Sequence, residues 1–299
     1  MSALSGWEKA LIETSNMAVG LALSADTDAT GSRMVLLYRE VEVYWLQIVF
    51  TEQTKMKIVV FTGAGISRES GLQTYRDSDG LWAAHTVDHY GTSHAWRTNP
   101  QRVLDFFNAR RAEVKDVQPN AAHLAIAALD AHHDVRVITQ NVDNLHERAG
   151  SAHVYHLHGE ITKRRSELDD TLIDDWDDDI KIGDLAPDGG QYRPHLVFFD
   201  EPVPAYDMCY ALSRQADILL VVGTSLQVYP AADIAAKTSA TDCWVVDPKP
   251  IDPHVMRKYR RRVRYIREPA TVGVPRAIKE MQDHFPLPPT SGIDTSIAY

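Results

Sequence analysis

The chain has 299 residues, 44% of them hydrophobic, and a net charge of −10. Length and apolar content allow one large domain or two smaller ones with a proper core, and the acidic balance argues against a nucleic-acid partner. Two cysteines, Cys209 and Cys243, make no disulfide framework. No apolar run reaches membrane-spanning length, and Glu8 and Lys9 interrupt any secretory pattern, so a cytoplasmic protein that meets no membrane is expected.

Residues 1–55 carry no recognisable chemistry. Trp7–Met17 reads as a short helix, and periodicity leaves Val35–Phe50 open between a strand and a buried helix. This segment is read as an appendage, because Met56 stands directly before the first strand of a domain spanning 56–285. The organising stretch is Lys57–Trp82. The apolar, β-branched run Ile58–Phe61 has the character of a buried strand. It passes at once into Gly63-Ala64-Gly65, with Ser67 and Ser70 where a helix would begin. Glycines allow a sharp turn and close backbone approach, and the first N–H groups of a helix lack internal partners. That combination suits a dinucleotide pyrophosphate on a Rossmann-like parallel sheet with helices on both faces. The dehydrogenase fingerprint is incomplete, since Arg68 stands at its third glycine, so a plain structural turn stays open.

Leu81–Val114 reads as mostly helical, with a loop around Asp88–Thr98 and a start signal at Asn99-Pro100. Phe106, Phe107 and Arg110 fall at helical spacing, which suggests an apolar face with the arginine outside. Pro119–His132 is a further helix. Val135–Thr139 is a second buried strand that runs into Gln140-Asn141-Val142-Asp143-Asn144. Amides and a carboxylate at the carboxyl end of a strand lie where open α/β sheets bind ligands, or else Asp143 or Asn144 caps the next helix. Val154–Gly159 is a third strand, and its period of two puts His156 and His158 on one face. Either is a candidate general base at neutral pH, or a satisfied structural histidine.

GAGIS-x-x-SG, TYRD-x-x-GLW, TQNVDNLHERAG, HLHGE, RPHLVFFDEPVP and GTSLQVYPAA follow one another between Lys57 and about Glu280. In that order they resemble the sirtuins, the NAD-dependent protein deacylases. The resemblance implies a Rossmann sheet that binds NAD, a smaller module against it, and an acyl-lysine threaded between them. It assigns Gly63, Ala64, Gly65 and Ser67 to the pyrophosphate loop, and Tyr75 and Arg76 to the shielding and positioning of the cofactor. Gln140, Asn141 and Asp143 match residues around the nicotinamide and its ribose. Gly223, Thr224 and Ser225 match a second phosphate and ribose loop, and Asp247 sits where an adenosine-binding Asn is usual. His158 matches the catalytic base, with Asn141 and Asp143 assisting. Val197, Phe198, Phe199, Asp200 and Glu201 match the strand and loop that pair with the substrate. The implied products are free lysine, nicotinamide and an O-acyl-ADP-ribose. The implied partners are acyl-lysine proteins or peptides, met by a monomer.

Three departures qualify the resemblance. Most sirtuins hold a structural zinc with two C-x-x-C pairs in the small module. The matching segment, Gly159–Arg193, contains neither cysteine nor histidine, so no metal is expected and the chain resembles the zinc-less bacterial branch. Its many aspartates read as a solvated face, with Leu168, Leu172, Ile173, Trp176, Ile180, Ile182 and Leu185 supplying a small core in place of the metal. Asp200 replaces a family glycine, which matters if that position needs a left-handed backbone. Phe107 and Arg110 match the Tyr-x-x-Arg pair with which desuccinylating members read acidic acyl groups; with the phenol lost, deacetylation is expected to outrun succinyl or malonyl removal. Arg257–Arg267 is locally basic, Val274–Phe285 reads as a closing helix, and 286–299 as a disordered tail. The same residues leave two other readings open: an NAD glycohydrolase or ADP-ribosyltransferase, and a non-catalytic NAD or ADP-ribose sensor. A hydride-transfer dehydrogenase fits least.

Overall fold

The computed structural model describes residues 55–75, 80–81, 86–251 and 262–285. The readings made for residues 1–54, for Arg76, for the stretch 257–261 and for the tail 286–299 lie outside the described residues.

Six strands form a parallel sheet in the order β3-β2-β1-β7-β8-β9. They are β1 (Lys57–Thr62), β2 (Asp134–Thr139), β3 (Val154–His156), β7 (Ile218–Val222), β8 (Asp242–Val246) and β9 (Arg262–Ile266). The central strands read as unbroken apolar runs because both of their faces are covered. Alternate residues divide between two cores. Val60, Val137, Leu220 and Trp244 pack with Ile126 and Val274 on one side. Phe61, Ile138, Leu219 and Val245 pack with Cys209 and Ile234 on the other. The helices concerned are α4 (Ala121–Ala128) and α8 (Ala270–His284) on the first face, and α6 (Tyr206–Ser213) and α7 (Ala231–Ala236) on the second. Strand order reverses direction between β1 and β7, and that switch point is where an open α/β sheet leaves a crevice beyond its carboxyl ends.

A second sheet, antiparallel in the order β5-β4-β6, is inserted between β3 and β7. It contains β4 (Gly159–Ser166), β5 (Ile173–Asp175) and β6 (Tyr192–Leu196). Helix α3 (Pro100–Asp116) packs Val103, Leu104 and Phe107 against Ile161, Tyr192 and Leu196 of this module. Asn99 caps α3 by accepting from Arg102 N at 3.1 Å, with Pro100 at its first position, as the sequence indicates.

Several expectations are corrected. The turn after β1 continues as two 3-10 turns, Ala64–Ile66 and Arg68–Ser70, not as an α-helix, and Gly71 ends it with φ +106°. The loop expected around 88–98 is largely helical: α1 (Val87–Tyr90) and α2 (Ser93–Thr98), the latter capped by Thr92 Oγ1 accepting from Ala95 N. Arg110 is buried, 5% exposed, not outside. The small module has no core of its own of the kind expected. Leu168, Ile173, Ile182 and Leu185 are 71%, 41%, 50% and 60% exposed, and of the expected set only Ile180 is fully buried, with Leu172 and Trp176 partly so. In its place the Arg164 guanidinium lies between the rings of Trp176 and Tyr192, 3.5 and 3.8 Å from their centroids, and Asp174 accepts from both Arg164 and Tyr192. The aspartates serve the turns here: Asp188 accepts from Ser166, Asp184 from Lys181 N and Asp169 from Thr171. No described helix is long and apolar enough to cross a membrane.

Candidate active site

A cleft of about 700 Å³ opens over the carboxyl ends of the large sheet and runs beneath the small module. Two loops meet at its floor. Gly63 and Gly65, after β1, press against Gly223, after β7. A Cβ on Gly63 would lie 2.7 Å from Thr224 Cβ, and one on Gly65 2.7 Å from Gly223 Cα. Gly223 has φ +61°, and a side chain there would meet Ile66 N at 2.4 Å. Gly65 N donates to Gly223 O at 2.9 Å. The glycines therefore serve contact between the two loops, which leaves a floor of bare backbone.

Gln140, after β2, ties a third loop in: its Nε2 donates to Thr224 Oγ1 at 3.0 Å. Asn141 lines the cleft, and its Nδ2 donates to Ser67 Oγ at 3.2 Å. Ser67 in turn donates to Asp143 Oδ2 at 3.0 Å, and Asp143 Oδ1 accepts from Leu145 N, the first residue of α5 (Leu145–Arg148). Burial lifts the Asp143 carboxyl above its ordinary pKa, against the pull of these donors. Ser67 and Asp143 thus lie a layer behind Asn141, orienting its amide, and are not among the residues that line the cleft.

The third strand ends at His156, so His158 lies in the bend beyond it and not on the strand as the alternation suggested, yet both histidines reach the loop after β2. His158 Nδ1–H donates to Gln140 O at 3.0 Å. That bond selects the tautomer in which Nε2 carries the lone pair, the state a general base requires. His158 lines the cleft and His156 does not. Gly159, next in the chain, has φ +83° and turns the backbone from β3 into β4.

The far wall is apolar, with Phe107, Leu196, Val197, Phe198 and Phe199. Glu201 secures it by accepting from Arg193, Arg165 and Phe198 N. Burial opposes ionisation of Glu201, but the two arginines hold its pKa below the ordinary value. Asp200 does not line the cleft. Its backbone is not left-handed, so replacement of a glycine brings no strain there, and its carboxylate accepts from Ser93 N at 2.8 Å. Arg110 also stays out of the lining: its guanidinium donates to Glu113 at 2.8 Å and to Gln73 O at 3.0 Å, beneath Tyr75, which does line the cleft. Ala64, Ser225 and Asp247 also line the cleft. Gln227, Val228, Lys249 and Ile251 line it too, although no role was expected of them from the sequence.

Residues 63–230, more than half of the chain, match the Sir2 family. The chain belongs to the Sir2 family. A Helicobacter pylori protein named NAD-dependent protein deacylase is 47% identical over 199 residues, 66% of this chain and 87% of the relative. A Bacteroides thetaiotaomicron protein of the same name is 42% identical over 73% of this chain and 94% of its own. Among solved structures, a Sir2 homologue mutant in complex with ADP-ribose superposes with a TM-score of 0.70 at 28% identity, covering 81% of this chain and 98% of its own. A Sir2 homologue–NAD complex gives 0.67 at 29% identity over 80% and 94%. The six-stranded parallel sheet with helices on both faces is thus the mixed α/β fold that these Sir2 structures share.

Proposed function

We propose that this Sir2-family chain is an NAD-dependent protein-lysine deacylase acting mainly on acetyl groups. The observation that carries the reading is His158, fixed as the Nε2 base by Gln140 O, in a cleft with a glycine floor and an apolar wall. The residues present suit NAD. A side chain on Gly63, Gly65 or Gly223 would fill the contact between the loops, the bare backbone there accommodates a pyrophosphate, and Asp247 offers a carboxylate to sugar hydroxyls. NAD supplies the nicotinamide leaving group and the ribose carbon that takes up the acyl oxygen.

The protein groups divide the remaining work. Asn141, held by Ser67 and Asp143, presents a fixed amide to the nicotinamide amide. Phe107, Val197 and Phe198 receive the lysine stem and keep water from the reacting carbon. His158 Nε2 would take the proton of a ribose hydroxyl of bound NAD, readying that oxygen for the acyl group. With one water consumed to release the lysine amine and restore the acyl carbonyl, the products would be lysine, nicotinamide and O-acyl-ADP-ribose. The engagement of Arg110 with Glu113 and Gln73 O supports a preference for neutral acyl groups, because among the described residues no guanidinium belongs to the apolar wall. The stacked Arg164 supports a small module that folds without zinc.

The test is nicotinamide release from NAD with and without an acetyl-lysine or succinyl-lysine peptide. Release is expected to require peptide, to favour acetyl, and to fall by about 100- to 10,000-fold in His158→Ala with NAD binding retained. Release without peptide would favour a glycohydrolase or ADP-ribosyltransferase; binding of NAD with no release would favour a sensor.

A further inference from the structure

His156 and His158 donate to consecutive carbonyls of one loop, yet only His158 lines the cleft. His156 Nδ1 meets Asn141 O at 2.9 Å, and its Nε2 meets Glu147 Oε1 at 2.7 Å. Glu147 lies in α5, which begins where the loop ends. His156 therefore spans the stretch 141–147 from its first carbonyl to its helix. A carbonyl and a carboxylate are both acceptors, so an imidazole that satisfies both carries both protons.

The titratable groups facing it are Glu147 and His146 from α5, Asp143 from the loop, and Glu160 from β4 with Lys163 beside it. Burial opposes the charge on His156, but Glu147, Asn141 O and Glu160 together hold its pKa above the ordinary imidazole value. Donor atoms of Glu147, His156 and Glu160 lie within 4.8 Å of one another, as a cation site would require. Both nitrogens of His156 are already committed, however, and Glu160 pairs with Lys163 at 2.9 Å. What this cluster holds is a proton.

We propose that His156 is a positioning residue whose imidazolium braces the Asn141 loop to α5, keeping the Asn141 amide in register with His158 and giving the reaction an alkaline limb of its own. The proposal rests on the deacylase reading for its effect on turnover, but not for the brace itself. When His156 loses a proton, one N–H must serve two acceptors, and either Asn141 O or Glu147 is released. The brace is complete below the raised pKa and is lost as pH rises through it. Because Asn141 is on the cofactor side, the loss is expected in KM for NAD more than in KM for peptide.

The experiment pairs rates with spectra. In wild type, kcat/KM for NAD is followed against pH, and the His156 ring and the Asn141 amide signals are titrated by NMR in the protein alone. A common midpoint is expected for the ring, the amide and the alkaline limb. Glu147→Gln removes the carboxylate while keeping its size, and should move all three down by about one pH unit, a tenfold weaker hold on the proton. His156→Gln, which keeps one donor, should leave a slower enzyme whose alkaline limb is gone. A limb unchanged in both variants, or a His156 titration to which Asn141 does not respond, would overturn the proposal. Absence of peptide-dependent release at every pH would sink the deacylase reading instead, and the paired titration would still decide the brace.

Discussion

One absent methyl group fixes where His158 sits. Gly159 has φ +83°, and a Cβ there would lie 2.1 Å from His195 O in the neighbouring strand β6. No side-chain rotation relieves that clash, because the backbone alone sets where a Cβ stands and His195 O is itself a backbone atom. Gly159→Ala must therefore push β4 away from β6 and carry His158 with it. The expected result is a loss of at least about 2 kcal/mol of stability, from left-handed strain and displaced pairing together, and a severe loss of nicotinamide release. Gly150 supplies the control. Its φ is +98°, but nothing lies within 4 Å of where its Cβ would be. Gly150→Ala should cost only the strain of about 1–2 kcal/mol and leave turnover intact. Thermal unfolding and release assays on the two variants separate clash from strain; equal activity in both would show that His158 does not depend on the turn at Gly159.

Among the elements, the small module shows where reading a sequence reaches its limit. The buried strands β1 and β2 are legible because parallel strands covered on both faces appear as continuous apolar runs. Their order across the sheet is not, since nothing in Ile58–Phe61 or Cys243–Val246 names its neighbour. Hydrophobic count in Leu168–Leu185 suggested a core, but a three-stranded antiparallel sheet has one wet face, and most of those side chains lie on exposed turns. The stabilising contacts join residues far apart, such as Arg164 with Tyr192 and Arg193 with Glu201 across the loop, which no local period reports. The site divides the same way. Strand-end residues such as Gln140 and Gly223 are visible as motifs, whereas the bracing by Glu147 and Arg165 exists only after folding. If the Arg164 stack replaces a core, Arg164→Met should destabilise the β4–β5 pairing by about 1–3 kcal/mol, seen as faster amide exchange in 159–175, while exchange in β1 and β7 stays unchanged. Arg164→Lys should recover only part of this, because an ammonium cannot stack between two rings as a planar guanidinium does. Uniform loss of protection through both sheets would mean that the module does not open separately.

At the scale of the whole molecule, the cleft is where segments distant in sequence have to agree. Loops from β1 and β7 touch through bare glycine backbone, Gln140 links the β2 loop to Thr224, and the module that follows His158 supplies the opposite wall. A ligand gripping all of these should stabilise the native state in proportion to its occupancy. At a hundred times its dissociation constant, NAD is expected to add about 2.7 kcal/mol. A structural metal would act differently, since removing it would unfold the module that depends on it. The segment Gly159–Arg193 has no thiol or imidazole to offer zinc, and Arg164 with its two rings occupies the heart of the module instead. Prolonged treatment with excess EDTA or phenanthroline should therefore leave both the melting temperature and nicotinamide release where they were, while NAD raises the melting temperature with or without chelator. A chelator-induced fall in melting temperature that zinc reverses would overturn the metal-free reading. Failure of NAD to stabilise the protein would remove the premise that the two-loop floor is its site.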